Sequence, residues 1–404
     1  MGFYHGLSGL NAASKSLDVS GHNIANSNTI GFKKSRAEFN EMVASAMGTG
    51  QCPGSAGAGI GVSVAAVTQQ FSQGVITPSA NGLDMAINGD GFFVVNTPNG
   101  VAYTRNGAFQ LDKNGYLVTA NGDKVQGWAN ANATGTQPVD LQFPTGAGIP
   151  GQQTTSLNIQ AANLPATAPD AATQTPPTPR HTYGTSVQVF DSQGVAIPVE
   201  VYFVKNGSNT WDVYDSLDPA ATPVGQVQFD GEGKFASSTV TSLNVDPSGA
   251  NPNNPPAPFT VALDMTGMTQ NDRKWSVDKM TQDGYASGEL TGVNVSKDGT
   301  LMASYSNGLT RAEGKVALAR FTNPQGLAPS GNNNWVQTND SGPVLYGSAG
   351  SGSFGQIQGC ALEESNVDLT AELVGMMTAQ RAYQANAQTI KTQDQVFSTL
   401  VNLR

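Results

Sequence analysis

Across residues 362–401 apolar side chains recur at strictly alternating spacings of four and three. Leu362, Leu369, Leu373, Met376, Tyr383, Ala387, Ile390, Phe397 and Val401 hold these positions, and Asn366, Gln380 and Asp394 interrupt them. Such spacing belongs to a helix with a single apolar seam. It predicts one helix, roughly 60 Å long at 1.5 Å per residue. The remaining faces carry Gln, Thr, Ser and Asn, so the seam has nothing within its own helix to bury against. The adjacent Glu363 and Glu364 fall at the expected helix start, where negative charge favours the dipole.

The opening residues repeat the theme. Phe3, Leu7, Leu10, Leu17 and Ile24 keep the same spacing, with Ser14 and Gly21 at the weaker positions. Turn formers crowd residues 23–28, Gly31 follows, and the helix is expected to stop there. Two exposed seams are most simply buried against each other and against neighbouring copies of the chain.

Composition fits both packing against copies and a secreted or extracellular β-rich protein, and does not separate the two. Charged residues make up only 12% of the 404 residues, about half the usual quarter. A surface so weakly self-repelling suits packing against copies. The net charge of −10 argues against nucleic acid as the natural partner, since phosphate binding needs a concentrated basic surface. Cys52 and Cys360 are too few for a disulfide framework, and their pairing is open. No apolar run reaches the roughly 20 residues of a membrane span. The amphipathic start lacks the basic and apolar regions of a signal peptide, so a chain that leaves the cytoplasm is expected to use a route that cleaves no such signal.

Between the termini the hydrophobic period falls to two. Residues 34–70 read as a flexible or extended connector, with a short periodic piece at Phe39, Met42 and Val43 and a Gly-rich run to Gly61. Its Gly57-Ala58-Gly59-Ile60-Gly61 lacks the flanking strand and helix of a dinucleotide loop. Strands are expected around 92–95, 109–118, 293–305 and 316–321, and in a middle region bounded by Pro-rich segments at 163–180 and 247–258. Three motifs, beginning at Asp112, Asp191 and Asp230 and closing at Gly115, Gly194 and Gly233, lack the acidic ligands of a calcium loop and read as turns.

No catalytic, metal or cofactor set emerges. His5, His22 and His181 are far apart, and the cysteines show no paired spacing. Trp128, Trp211, Trp275 and Trp335 could line a sugar-binding face but are read as core anchors. Lys33, Lys34 and Arg36, the one basic cluster, are expected to be solvated or to pair with acidic residues near the other terminus. Asn206-Gly207-Ser208 fits both a glycosylation acceptor and a tight turn.

Ala25-Asn26-Ser27-Asn28-Thr29-Ile30-Gly31-Phe32-Lys33 resembles the N-terminal signature of the bacterial flagellar rod, hook and hook-associated protein family. Residues 83–93 and 103–109 are similar to segments shared by its rod and hook members. Residues 303–308, 321–327, 361–369 and 387–394 are most similar to the hook members. The resemblance implies an α+β multidomain fold with discontinuous, coiled-coil-like terminal helices and two mainly-β domains. Residues 1–33 with 362–404 would form an inner assembly domain, 34–70 a connector, 71–145 with 285–361 a β domain, and 146–284 an outer β domain. It further implies a hollow, flexible tube of many copies joining rod to filament and transmitting torque. Rod proteins, hook–filament junction proteins, a hook cap and the type III export apparatus would be partners. A distal rod subunit and a surface carbohydrate-binding β protein are the alternatives.

Overall fold

The computed structural model describes residues 2–43, 59–129, 137–143, 148–171, 180–250 and 256–402. The chain divides into two compact units. One comprises Met1–Phe143, Gly292–Ala303 and Arg311–Arg404, and the other Pro144–Thr291 with Ser304–Thr310.

The first unit holds two helices, α1 (Gly2–Ala25) and α2 (Leu369–Asn402), which run antiparallel. A Cβ at Gly6 would meet Ile390 and one at Gly9 would meet Asn386, while at the other end of the pair a Cβ at Gly375 would lie 4.0 Å from Ser20 Oγ. Helix α1 ends in the expected place. Asn26 folds its amide group back onto the His22 carbonyl at 2.9 Å, and Thr29 donates to the Asn26 side chain at 3.2 Å.

Helix α2 starts seven residues later than the seam predicts. Asp368 caps it, accepting from the amides of Thr370 at 2.9 Å and Ala371 at 3.1 Å. The residues ahead of the cap are claimed by β pairing instead. Ala361–Glu363 forms a strand antiparallel to Ile76–Pro78, with Leu362 opposite Thr77. Leu362 therefore does not lie on the helix, and Glu363 does not neutralise a helix dipole. Asn366 spends its side chain on backbone groups, accepting from Lys34 N at 2.8 Å and donating to Gln70 O at 2.8 Å.

The stretch read as a connector contains a hairpin-like pair, Ser35–Val43 antiparallel to Gly59–Gln69. It packs on α1, where Ser8 Oγ accepts from Val62 N at 3.3 Å. Asn23 ties the last turns of α1 to the first strand residue, donating to Ser35 O at 2.8 Å and accepting from Ser35 N at 2.9 Å. Residues 44–58, with Cys52, lie outside the described residues. Cys360 is exposed and takes a left-handed φ of 53° between two paired strands.

The β part of this unit is built on the long strand Thr310–Arg320, which pairs antiparallel with Phe92–Thr97, Lys124–Trp128 and Leu345–Ser348. Gly100–Thr104 and Asn334–Val336 extend the sheet. Phe92, Tyr103, Trp128, Phe321 and Trp335 share one core beneath it. Met85–Asn88 pairs with Gln356–Gly359, so early and late segments interleave throughout.

Among the described residues the second unit has two five-stranded sheets. Gly184–Phe190, Ala196–Lys205, Thr210–Tyr214, Gly225–Phe229 and Phe235–Ser238 form an antiparallel meander. The other sheet centres on Ser156–Pro165, parallel to Phe259–Asp264 and Met268–Asn271 and antiparallel to Ser276–Gln282. Leu157, Ile159, Phe203, Trp211, Val227 and Val261 belong to one core shared by both sheets. Trp211 donates across it to Gln270 at 3.2 Å.

The three Asp motifs are turns. Asp112, Asp191 and Asp230 each accept from the amides two and four residues on, at 2.7 to 2.9 Å. Gly115, Gly194 and Gly233 close them at φ of 82°, 78° and 79°. Trp128, Trp211 and Trp335 are buried, and Trp275 packs against the second unit's core. The tryptophans are core anchors, and the sugar-face reading loses its basis. Asn206 sits in a turn with its amide on Asp212 at 2.8 Å.

Trp211→Ala removes the largest fully buried side chain among the described residues. It is expected to lower the unfolding free energy of the second unit by about 3–5 kcal/mol, read from the urea transition of that unit's tryptophan fluorescence.

Candidate functional site: the joint of the termini and the open face of the helix pair

The signature residues converge on a joint. Past Ala25, the turn through Asn26, Asn28 and Thr29 brings Gly31 against the backbone of Arg105 and the carbonyl of Glu363, which accepts from Gly31 N at 2.8 Å. Gly31 has a φ of 69°, and a Cβ there would stand 2.6 Å from the Arg105 carbonyl carbon. Only glycine fits both demands. Phe32 is buried beside it, its ring 5.5 Å from that of His22.

Lys33 follows, and its ammonium is sealed from solvent. It donates to Glu363 Oε1 at 2.6 Å and to Ser72 O at 2.7 Å. Arg105 reaches the other carboxylate oxygen at 3.2 Å and donates to Gly89 O at 2.8 Å. Gly74 N adds a third donor to Glu363 Oε1 at 2.9 Å. One buried carboxylate thus binds the end of α1, the β core and the approach to α2. Burial pulls the Lys33 ammonium below the usual lysine range, with Glu363 opposing and Arg105 reinforcing that shift. Burial likewise lowers Arg105, against the pull of Glu363. The expectation that the basic cluster pairs with acidic residues near the other terminus holds for Lys33. Lys34 and Arg36 make no side-chain ion pair among the described residues.

The helix pair leaves a large apolar face open. Leu10, Leu17 and Ile24 of α1 and Met376, Ala387 and Ile390 of α2 are half-buried, whereas Leu7, Leu369, Leu373, Tyr383 and Phe397 are exposed. The side chain of Val401 lies outside the described residues. Val374, Met377 and Val396, off the seam, are exposed as well, as are Phe39, Met42, Val64 and Val67 of the strand pair. Contiguous apolar exposure on this scale marks a surface that associates. The polar flank of α2 is satisfied internally: Thr378, Thr389, Thr392 and Thr399 each donate to the carbonyl four residues back, at 2.8 to 3.0 Å.

Arg105, Glu363, Asn366 and Asn23 are the joint residues that spacing could not reveal. No helix among the described residues is long and apolar enough to cross a membrane, and they contain no cluster of three metal-ligating side chains.

Four family models match in sequence order. Residues 3–33 match the flagella basal body rod protein, 86–162 the flagellar hook protein FlgE/F/G D1 domain, 158–285 the flagellar basal body protein FlaE D2 domain, and 358–403 the flagellar basal body rod FlgEFG protein C-terminal. The chain is 42% identical to the flagellar hook protein FlgE of Escherichia coli K12, over 100% of both chains. It is 33% identical to that of Borreliella burgdorferi, over 99% of both. A crystal structure of Helicobacter pylori flagellar hook protein FlgE2 shares the fold at a TM-score of 0.51 and 17% identity, covering 70% of this chain and 99% of that one. The chain belongs to the flagellar hook protein family, FlgE, and is a structural subunit of the bacterial flagellar hook.

Glu363→Gln strands two buried cations. It is expected to cost about 3–5 kcal/mol in unfolding free energy by denaturant titration, the range for breaking one side of a buried ion pair. Glu364→Gln, on an exposed neighbour, should stay within about 0.5 kcal/mol.

Proposed function

We propose that the subunit polymerises through its terminal helices into a hollow, flexible tube that joins rod to filament and transmits torque. The observation carrying this reading is the apolar face left open on α1, α2 and the strand pair. A face of that kind is costly in a monomer and is removed by packing against copies. Contacts between different surfaces of successive subunits, with a rotation that does not close, give an open helical assembly.

Leu7, Leu10, Leu17 and Ile24, with Leu369, Leu373, Met376, Tyr383, Ile390, Phe397 and Val401, form the seams of that assembly, packed in coiled-coil fashion within and between subunits. Leu362 contributes at the joint rather than on the helix. Residues 1–33 with 362–404 act as the inner domain, and residues near 146–284 as an outer β domain that slides against its neighbours as the tube bends. Its low charge favours such sliding. Rod proteins, junction proteins, the hook cap and the export apparatus are the further partners, and the subunit travels to the cell exterior without a cleaved signal. It performs no catalysis.

Purified full-length protein under polymerising conditions is expected to give tubes by electron microscopy. Persistent monomers at high concentration would overturn the reading. Deleting residues 146–284 is expected to leave tubes that form but bend or curve differently, and unchanged shape and stiffness would count against an outer sliding contact.

A further inference from the structure

Helix α1, helix α2 and the strand pair enclose an open cleft of about 940 Å³. Phe39 and Val62 floor it, Val19 walls it from α1, and Val374, Ala379 and Ala382 wall it from α2. Phe39 and Val374 are exposed there. Lys34 and Arg36 stand on its lining without an ion pair among the described residues. Along α2 the cleft spans residues 371–382, about 16 Å by helical rise.

The far end of the same helix has the complementary character. Past Ile390, which faces Gly6, α2 runs on with Val396 and Phe397 at 51% and 58% exposure. Residues 394–402 make a helical segment about 12 Å long, and Asp394 is its one charged side chain. Apolar knobs of the right length, carrying a negative charge, stand at one end of α2. A largely apolar cleft, whose lining carries Lys34 and Arg36 against the single acid Glu372, stands at the other.

We propose that the cleft receives residues 394–402 of α2 from a second copy, with Val396 and Phe397 on its apolar floor and Asp394 facing Lys34 and Arg36. No chain can fill its own cleft in this way. Residues 382 and 394 lie on one continuous helix, about 18 Å apart along its axis. Because cleft and knob are different surfaces, the contact repeats head to tail, and each added subunit presents a fresh cleft or a fresh end. The inference rests on the self-assembly reading and names one of its contacts.

The test uses full-length protein with Cys52→Ser and Cys360→Ser. Two single-cysteine variants, Phe397→Cys and Ala382→Cys, are doped together into an excess of that protein, so that assembly does not depend on either. Oxidation of the polymer is expected to give a disulfide-linked dimer of the two variants. A control pairing Phe397→Cys with Gln380→Cys, outside the cleft lining, is expected to give little. Independently, Phe397→Ser should raise the concentration needed for polymer formation at least about tenfold, as loss of a buried aromatic contact implies. Tubes that form with equal linkage in both pairings, or with no change for Phe397→Ser, would overturn the cleft contact and leave self-assembly standing. Wild-type protein that never polymerises would overturn both.

Discussion

The structure turns on one carboxylate. Glu363 lies fully buried between the Lys33 ammonium and the Arg105 guanidinium, with a backbone amide as its third donor. Two cations in a dry site are tolerable only because that carboxylate is placed within hydrogen-bond reach of both. Its three partners lie 258 to 330 residues ahead of it, so the ion cluster forms only when the chain has closed on itself. Hydrophobic contacts alone would permit the termini to slide past the β core. A buried charge pair does not, because each partner left unmatched is penalised. The cluster therefore acts as a register pin for the entire first unit.

From that pin outward, the two ends of the chain are treated differently from its middle. The second unit satisfies itself: its sheets share a core anchored by Trp211, and its turns are closed by Asp–Gly pairs that need no outside help. The helices do not. Their seams meet over only part of their surface, and apolar residues of α1, α2 and the strand pair stay in water. A subunit whose middle is complete and whose ends are unfinished is suited to joining others without losing its own fold.

Sequence periodicity located both helices and the turn that ends α1, because a seam of Leu, Ile and Phe at helical spacing is a local signal. It extended α2 back to Leu362, since the apolar spacing runs on through residues that pair with Ile76–Pro78 instead. A strand partner some 285 residues away leaves no trace in local spacing. The same non-locality hid Glu363. Beside Glu364 and ahead of a helical pattern it has the look of a dipole-neutralising residue, and nothing near it in the chain announces Lys33 or Arg105. The strand pair at Ser35–Val43 was missed for another reason: its apolar residues are exposed, its register is bulged, and its two halves are split by a Gly-rich run. Turns and tryptophan anchors were legible, being set by the chemistry of one or a few adjacent residues.

The pairing of Ala361–Glu363 with Ile76–Pro78 has a mechanical meaning. Tension applied between the two helices enters the chain at both ends and meets at this strand pair and the ion cluster beside it. Lys33 stands eight residues past the end of α1 and Glu363 six ahead of the start of α2, so the ion pair closes that path close to both helices.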